Sequence, residues 1–281
     1  MIIKDKEIQY NLHSHTFRCG HADGDIEDYV KNAIKKGTKL YGVSDHVFLP
    51  GVIQDGIRGN FEILDEYIST FHRVKEKYKV DIKLLLAFEC EYSDVFVDYY
   101  RSLLKEKKVD YLICGQHVEF DQDKKAHWYF SYKRLDDYED IERYKDKVLK
   151  AIRSGLFLYI AHPDIFCYTV TEITPFIEKV MDEIIDEAIK YDIPLELNQH
   201  GFVRTKLNEP YKTFGYPCAF FWKRAKEKGV KIIFGGDYHS PNEMFDDFFV
   251  NSSSKMIEEN NIHVMNNDEV IELLNDYKKK H

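Results

Sequence analysis

Short apolar or β-branched runs recur near positions 7–12, 39–43, 82–88, 110–114, 156–161, 193–197 and 230–234. Between most of them lie longer stretches with helical spacing. After Thr174, for example, Phe176, Ile177, Val180, Ile184, Ala188 and Ile189 fall on one face, with Glu and Lys elsewhere. Thr174-Pro175 offers an N-cap followed by a first-turn proline. Strand–helix alternation sustained through 281 residues implies right-handed βαβ crossovers, and hence a parallel sheet or barrel. No linker, low-complexity tract or fixed-period repeat interrupts the pattern, so the expectation is a single domain over residues 1–281.

The chemistry sits where the predicted strands end. His13 and His15, Asp45 and His46, Glu89, His117, His162, and Asp237 with His239 each follow an apolar run. In a barrel of parallel strands those ends converge on one face, and the seven apolar runs suggest seven strands. His13 and His15 are two apart, so in an extended strand both imidazoles face one side and can grip one ion. His21 follows in the turn CGHADG. Asp45 can orient an imidazole, bind a metal or cap a turn. Glu89 shares strand parity with Leu85 and Ala87, which puts a carboxylate where a core residue is expected; Glu91, of the same parity, competes with it. A buried carboxylate needs a metal or a cation. Each feature alone has a bland alternative in surface or packing histidines. Together, seven of the 12 histidines lie at strand ends or in the adjoining first loop, which chance placement explains poorly. His72, His127, His200, His263 and His281 are left to surface or packing roles, although His200 lies near a strand end.

Composition narrows the partners. A hydrophobic fraction of 44% with 15% aromatics supports a sizeable core. The charge of −9, from 40 basic and 49 acidic residues, counts against a nucleic-acid binder. Mean hydropathy is −0.48, and no run approaches the roughly 18 apolar residues of a membrane span. Residues 1–15 lack the apolar stretch of a signal peptide. The five cysteines lack CxxC spacing and read as reduced thiols. The expectation is a soluble cytoplasmic protein acting on a small molecule.

HSHTFRCGHADG, SDH, FECEY, GQH, AHPD and GGDYHS occur in an order that resembles the polymerase-and-histidinol-phosphatase (PHP) superfamily, from residue 13 to about residue 245. ELNQHGFVR, and the YP followed by FW at 216–222, resemble its histidinol-phosphatase branch. The resemblance implies an α/β fold, a distorted (β/α)7 TIM-like barrel, with a trinuclear metal centre at the C-terminal ends of the strands. It implies one ion held by His13, His15, Glu89 and Asp237. A second shares Glu89 with His117 and His162, and a third takes His21, His46 and His239. Mixed imidazole and carboxylate ligation suits about three divalent ions of Zn, Mn or Fe. Water on such ions has its pKa lowered to around 7 and can attack phosphorus without a Ser or Cys nucleophile. Glu89 and Asp237 are then catalytic, as is Arg204, which the resemblance places at the phosphate. Arg18 and Arg58, the latter in the glycine-containing loop 49–60 expected to overhang the site, are weaker substrate contacts. AHPDIFCYT lacks the basic residue often found there in this branch. The implied activity is a metal-dependent phosphomonoesterase, a histidinol-phosphate phosphatase of histidine biosynthesis, with Glu91 or Asp164 reading the ammonium. Asp164, His200 or a bound water would protonate the leaving alkoxide. The rivals are another PHP phosphoesterase, acting on phosphotyrosine or nucleotides, and a non-catalytic metal-binding regulatory module.

Overall fold

The apolar runs become parallel segments that curl into a ring. The computed structural model describes residues 8–203 and 211–281. β1 (Tyr10–Asn11), β2 (Leu40–Val43), β3 (Lys83–Cys90) and β4 (Tyr111–Cys114) pair in that order, all parallel. The fifth position is a single bridging residue, Ile160, paired with Cys114 on one side and Leu195 on the other. Main-chain bonds hold it on both sides: Leu158 N to Leu112 O at 2.8 Å and Glu196 N to Ile160 O at 2.9 Å. β7 (Leu195–Asn198) and β8 (Ile232–Gly235) follow, again parallel. A bridge between Ser14 and Tyr238 closes the ring, with His15 N donating to Tyr238 O at 2.9 Å. This is the expected seven-stranded barrel, distorted where the fifth strand and the closure are reduced to single bridges. Apart from Lys83, the residues of β1 to β4, β7 and β8 are buried. Parallel strands covered on both faces read as continuous apolar runs, which made them visible in the sequence.

Among the described residues, the α-helices include α1 (Ile26–Lys36), α2 (Leu64–Lys77), α3 (Val97–Lys105), α4 (Tyr138–Ser154), α5 (Pro175–Lys190), α6 (Ala219–Lys228), α7 (Asp247–Glu259) and α8 (Asn267–Lys280). Thr174 caps α5, its hydroxyl accepting from Ile177 N at 3.4 Å, with Pro175 in the first turn. The buried face of α5 is Ile177, Val180, Met181, Ile184, Ile185 and Ala188. Ile189, expected on that face, is exposed, because it lies one residue, or about 100°, round the helix from Ala188. One element had no expectation: an antiparallel hairpin, β5 (Val118–Phe120) and β6 (Ala126–Trp128), inserted after β4. Its turn is held by Asp121, whose Oδ1 accepts from the main-chain N of Asp123 and Lys125 at 2.9 Å each. All five cysteines are buried and free. No helix among the described residues is long and apolar enough to cross a membrane.

Candidate metal centre

The C-terminal ends of the strands deliver their polar residues to one cavity of about 240 Å³. The chain leaves β1 extended, so His13 and His15 point the same way, their Nε2 atoms 3.2 Å apart. Asp237, beyond β8, puts Oδ1 3.0 Å from His15 Nε2 and 3.4 Å from His13 Nε2. Glu89, near the end of β3, is the hub. Its Oε1 lies 2.8 Å from His162 Nε2, 3.6 Å from His13 Nε2 and 3.7 Å from His117 Nε2. Its Oε2 lies 3.0 Å from His46 Nδ1 and 3.5 Å from His15 Nε2. At the mouth, His21 Nε2 is 3.1 Å from His239 Nε2, and the His21 ring is 5.4 Å from that of His46. All nine expected ligands are therefore together. Within them, His13, His15 and Glu89; His46, Glu89 and His117; and His15, His46 and His239 each have ligand atoms within 4.8 Å of one another. A further group pairs His15 with Cys19 and Asp45; burial pushes the Cys19 thiol up to about 12, and neither Cys19 nor Asp45 lines the cavity.

Backbone geometry is adapted to this crowding. His162 and Asp237 adopt positive φ, 32° and 49°, a region uncommon outside glycine and associated with functional sites. A Cβ on Gly115 would lie 1.8 Å from Glu89 Oε1, and one on Gly235 would lie 1.8 Å from Glu196 Oε1. Only glycine leaves room for either carboxylate, which accounts for GQH and GGD as they stand in the sequence.

The electrostatics are those of a ligand set. Burial alone would raise the Glu89 carboxyl; the imidazoles of His117, His13 and His46 outweigh it and hold Glu89 well below the usual carboxylate range. Asp237 is held low in the same way, against burial, by His13, His15 and His239. Burial pushes His46 and His239 well below the usual imidazole value, so both are neutral near pH 7 and carry a free lone pair. His46 Nδ1 and Asp237 Oδ1 are buried and make no hydrogen bond, although each has an oppositely charged or chargeable atom 3.0 Å away. Atoms that converge without hydrogen-bond geometry fit a shared cation between them. The donor set of imidazole and carboxylate fits a transition-metal or zinc ion.

An outer layer fixes the imidazoles. Glu196, fully buried in β7, takes His13 Nδ1 at 2.8 Å and the main-chain N of His162 at 3.1 Å. Asn198 Nδ2 donates to Glu196 at 2.8 Å and to Asp237 Oδ2 at 3.1 Å. Asp45 accepts from Thr16 N at 3.1 Å and lies 3.8 Å from His15 Nδ1; it orients and does not reach the cavity. Burial pushes its carboxyl up to about 6.

Four residues expected at the substrate do not line the cavity. Arg18 is buried and turned outward, its guanidinium held by Glu66 at 2.9 Å and by Asp25. Arg58 is also buried, forking onto Glu91 at 2.9 and 3.0 Å and donating to Val47 O at 3.0 Å. Only its neighbour Ile57 lines the cavity. Glu91, thus neutralised by Arg58, sits 3.4 Å from His117 Nδ1 and supports that imidazole. Asp164 is fully buried against the main-chain N of Cys218 and Trp222 Nε1, at 2.6 and 2.9 Å. Burial pushes it up to about 7. Arg204 lies outside the described residues. Conversely, His200, assigned to surface or packing, lines the cavity, with its ring 4.5 Å from that of His239. Glu196 and Asn198 were missed as well. Their signal was polar residues alternating with leucine in LELN, which on a barrel strand points them inward.

A parallel barrel with a histidine- and carboxylate-lined cavity at the strand C-termini is the architecture of a barrel metalloprotein. Comparison with known proteins places it further. The PHP domain model matches residues 11–200, and the chain belongs to that family. It is 28% identical over 237 residues to a probable phosphatase of Thermoanaerobacter sp. (strain X514), covering 83% of this chain and 80% of that one. It is 26% identical over 244 residues to the probable histidinol-phosphatase of Deinococcus radiodurans, covering 83% and 86%. Among solved structures, histidinol phosphate phosphatase from Lactococcus lactis, complexed with Zn, L-histidinol and phosphate, superposes with a TM-score of 0.68 at 17% identity, covering 92% of this chain and 95% of that one. That likeness is one of fold.

Proposed function

We propose that this chain is a metal-dependent phosphomonoesterase whose substrate is histidinol phosphate, split by water into histidinol and phosphate. The observation that carries the reading is the environment of Glu89. This carboxylate is 1% exposed, and its ionic neighbours among the described residues are five imidazoles, with no lysine or arginine. Five crowded imidazoles cannot all be cations, so divalent ions are the fitting counter-charge. The ligand sets we infer are His13, His15, Glu89 and Asp237; Glu89, His117 and His162; and His21, His46 and His239. When bound, the ions supply Lewis acidity toward a phosphoryl group and a water acidified to about pKa 7.

The protein's own part is to hold that set in register. Glu196 keeps the His13 proton on Nδ1, which leaves Nε2 aimed into the cavity. Glu91, fixed by Arg58, does the same for His117. With Asp164 turned away, His200 at the cavity edge is the side chain positioned to give a proton to the leaving alkoxide. Arg204, beyond β7, is assigned to the phosphate. Histidinol phosphate is favoured by the names of the relatives, including that of Deinococcus radiodurans, and by what the Lactococcus lactis structure holds. The test is phosphate release from a panel of phosphomonoesters by metal-replete and chelator-treated protein, with metal content measured on the same preparation. Histidinol phosphate should exceed p-nitrophenyl phosphate and AMP in kcat/KM, and chelation should abolish release. Preference for the aryl ester or the nucleotide would contradict the substrate, and turnover surviving chelation would contradict the metal mechanism.

A further inference from the structure

The cavity has a second wall, built of rings. Phe130, Tyr168 and Tyr216 succeed one another at centroid spacings of 6.0 and 6.4 Å, and Tyr216 ends 6.1 Å from the ring of His162. Trp128, which ends the hairpin, lines the same cavity and is 48% exposed. The hairpin is anchored: Arg134 Nη2 donates to the carbonyls of Trp128 and Tyr129 at 3.1 and 3.2 Å. Lys124 Nζ ties its turn to Pro50 O at 2.9 Å, on the loop that carries Ile57. An indole carried on an anchored hairpin and half-exposed at a cavity mouth is apolar surface that the fold does not itself cover. The carboxylates expected to bind an ammonium are not available to it. Glu91 is consumed by Arg58 and His117, and Asp164, fully buried with Oδ2 bonded to Cys218 N and Trp222 Nε1, does not line the cavity. The acids that line the cavity among the described residues, Glu89 and Asp237, point at imidazoles.

We propose that this aromatic wall sets specificity: the leaving alkoxide or aryloxide carries a single flat ring, imidazolyl or aryl, held by stacking and edge contacts with Trp128, Phe130, Tyr168 and Tyr216. Any ammonium on it is read by π faces and not by an ion pair. A cavity of about 240 Å³ is below the roughly 300 Å³ at which ordinary ligand pockets begin, so one ring with its phosphoryl group suits it and an oligonucleotide does not. The inference rests on the phosphomonoesterase reading only for where the phosphoryl group lies.

The test compares binding of phenylphosphonate and cyclohexylphosphonate, each with a six-carbon ring but only the first flat and aromatic, to the metal-loaded full chain by calorimetry. Phenylphosphonate should bind about three- to tenfold more tightly, the worth of an aromatic pair beyond its apolar area. Trp128→Ala should erase that preference and Trp128→Phe should retain it. Equal affinities in the unmodified protein, or a preference indifferent to Trp128→Ala, would overturn the inference. Ring preference in binding without phosphate release from any ester would sustain it and sink the phosphatase reading instead.

Discussion

Replacing Glu196 by Gln exchanges one oxygen for an amide nitrogen with almost no change of shape. The carboxylate faces His13 Nδ1 on Oε1, and His162 N with Asn198 Nδ2 on Oε2, at 2.8, 3.1 and 2.8 Å. Glutamine has one acceptor atom for these groups. With its nitrogen at the Oε1 position it donates to His13 Nδ1, shifts the imidazole proton to Nε2 and removes a lone pair from the metal cluster. With its nitrogen at the Oε2 position, donors face donors, and each unsatisfied buried group costs about 1–3 kcal/mol. Loss of an outer partner of a metal-binding imidazole typically weakens metal affinity about 10–100-fold, or about 1.4–2.7 kcal/mol. Competition against a chromogenic chelator measures the affinity, and thermal unfolding of the metal-free protein measures the packing cost. The first orientation lowers affinity and spares the metal-free Tm; the second lowers that Tm. Unchanged affinity together with unchanged Tm would refute the role given to Glu196.

Gly115→Ala should cut metal content and most phosphate release, because the new Cβ falls 1.8 Å from Glu89 Oε1; metal analysis after desalting reads the loss. Arg58→Ala leaves Glu91 charged and buried without its partner, a situation that costs about 3–5 kcal/mol, measurable by denaturant unfolding. Arg204→Ala should raise KM strongly for every phosphomonoester accepted, since the contact reads phosphate alone. His72→Ala, an exposed site on α2, should leave kinetics and Tm unchanged.

The barrel was legible because its strands are buried on both faces and therefore appear as mainly apolar runs, most of them followed within three residues by a potential ligand. The ligand cluster was legible for the same reason: parallel strands all send their C-termini to one face, so position along the chain implied position in space. What lay beyond that first layer was not. Whether Arg18, Arg58, Glu91 or Asp164 faces substrate depends on which partner lies across the fold, and Glu66, Glu91, His117 and Trp222 are 48, 33, 26 and 58 residues away. Charge alone made these residues look available; burial with a partner removed them. Glu196 was hidden by the converse effect, a carboxylate inside an apolar strand whose neighbours drew the eye to packing. The hairpin bearing Trp128 has strands of three residues, too short to show a period.

Anomalous diffraction from crystals saturated with zinc or manganese tests the central claim most directly. Three peaks are expected at the strand C-termini, with Glu89 bridging two of them and His21, His46 and His239 around the third. A single peak at saturating metal, or Glu89 directed away from every peak, would contradict the metal centre on which the proposed activity depends.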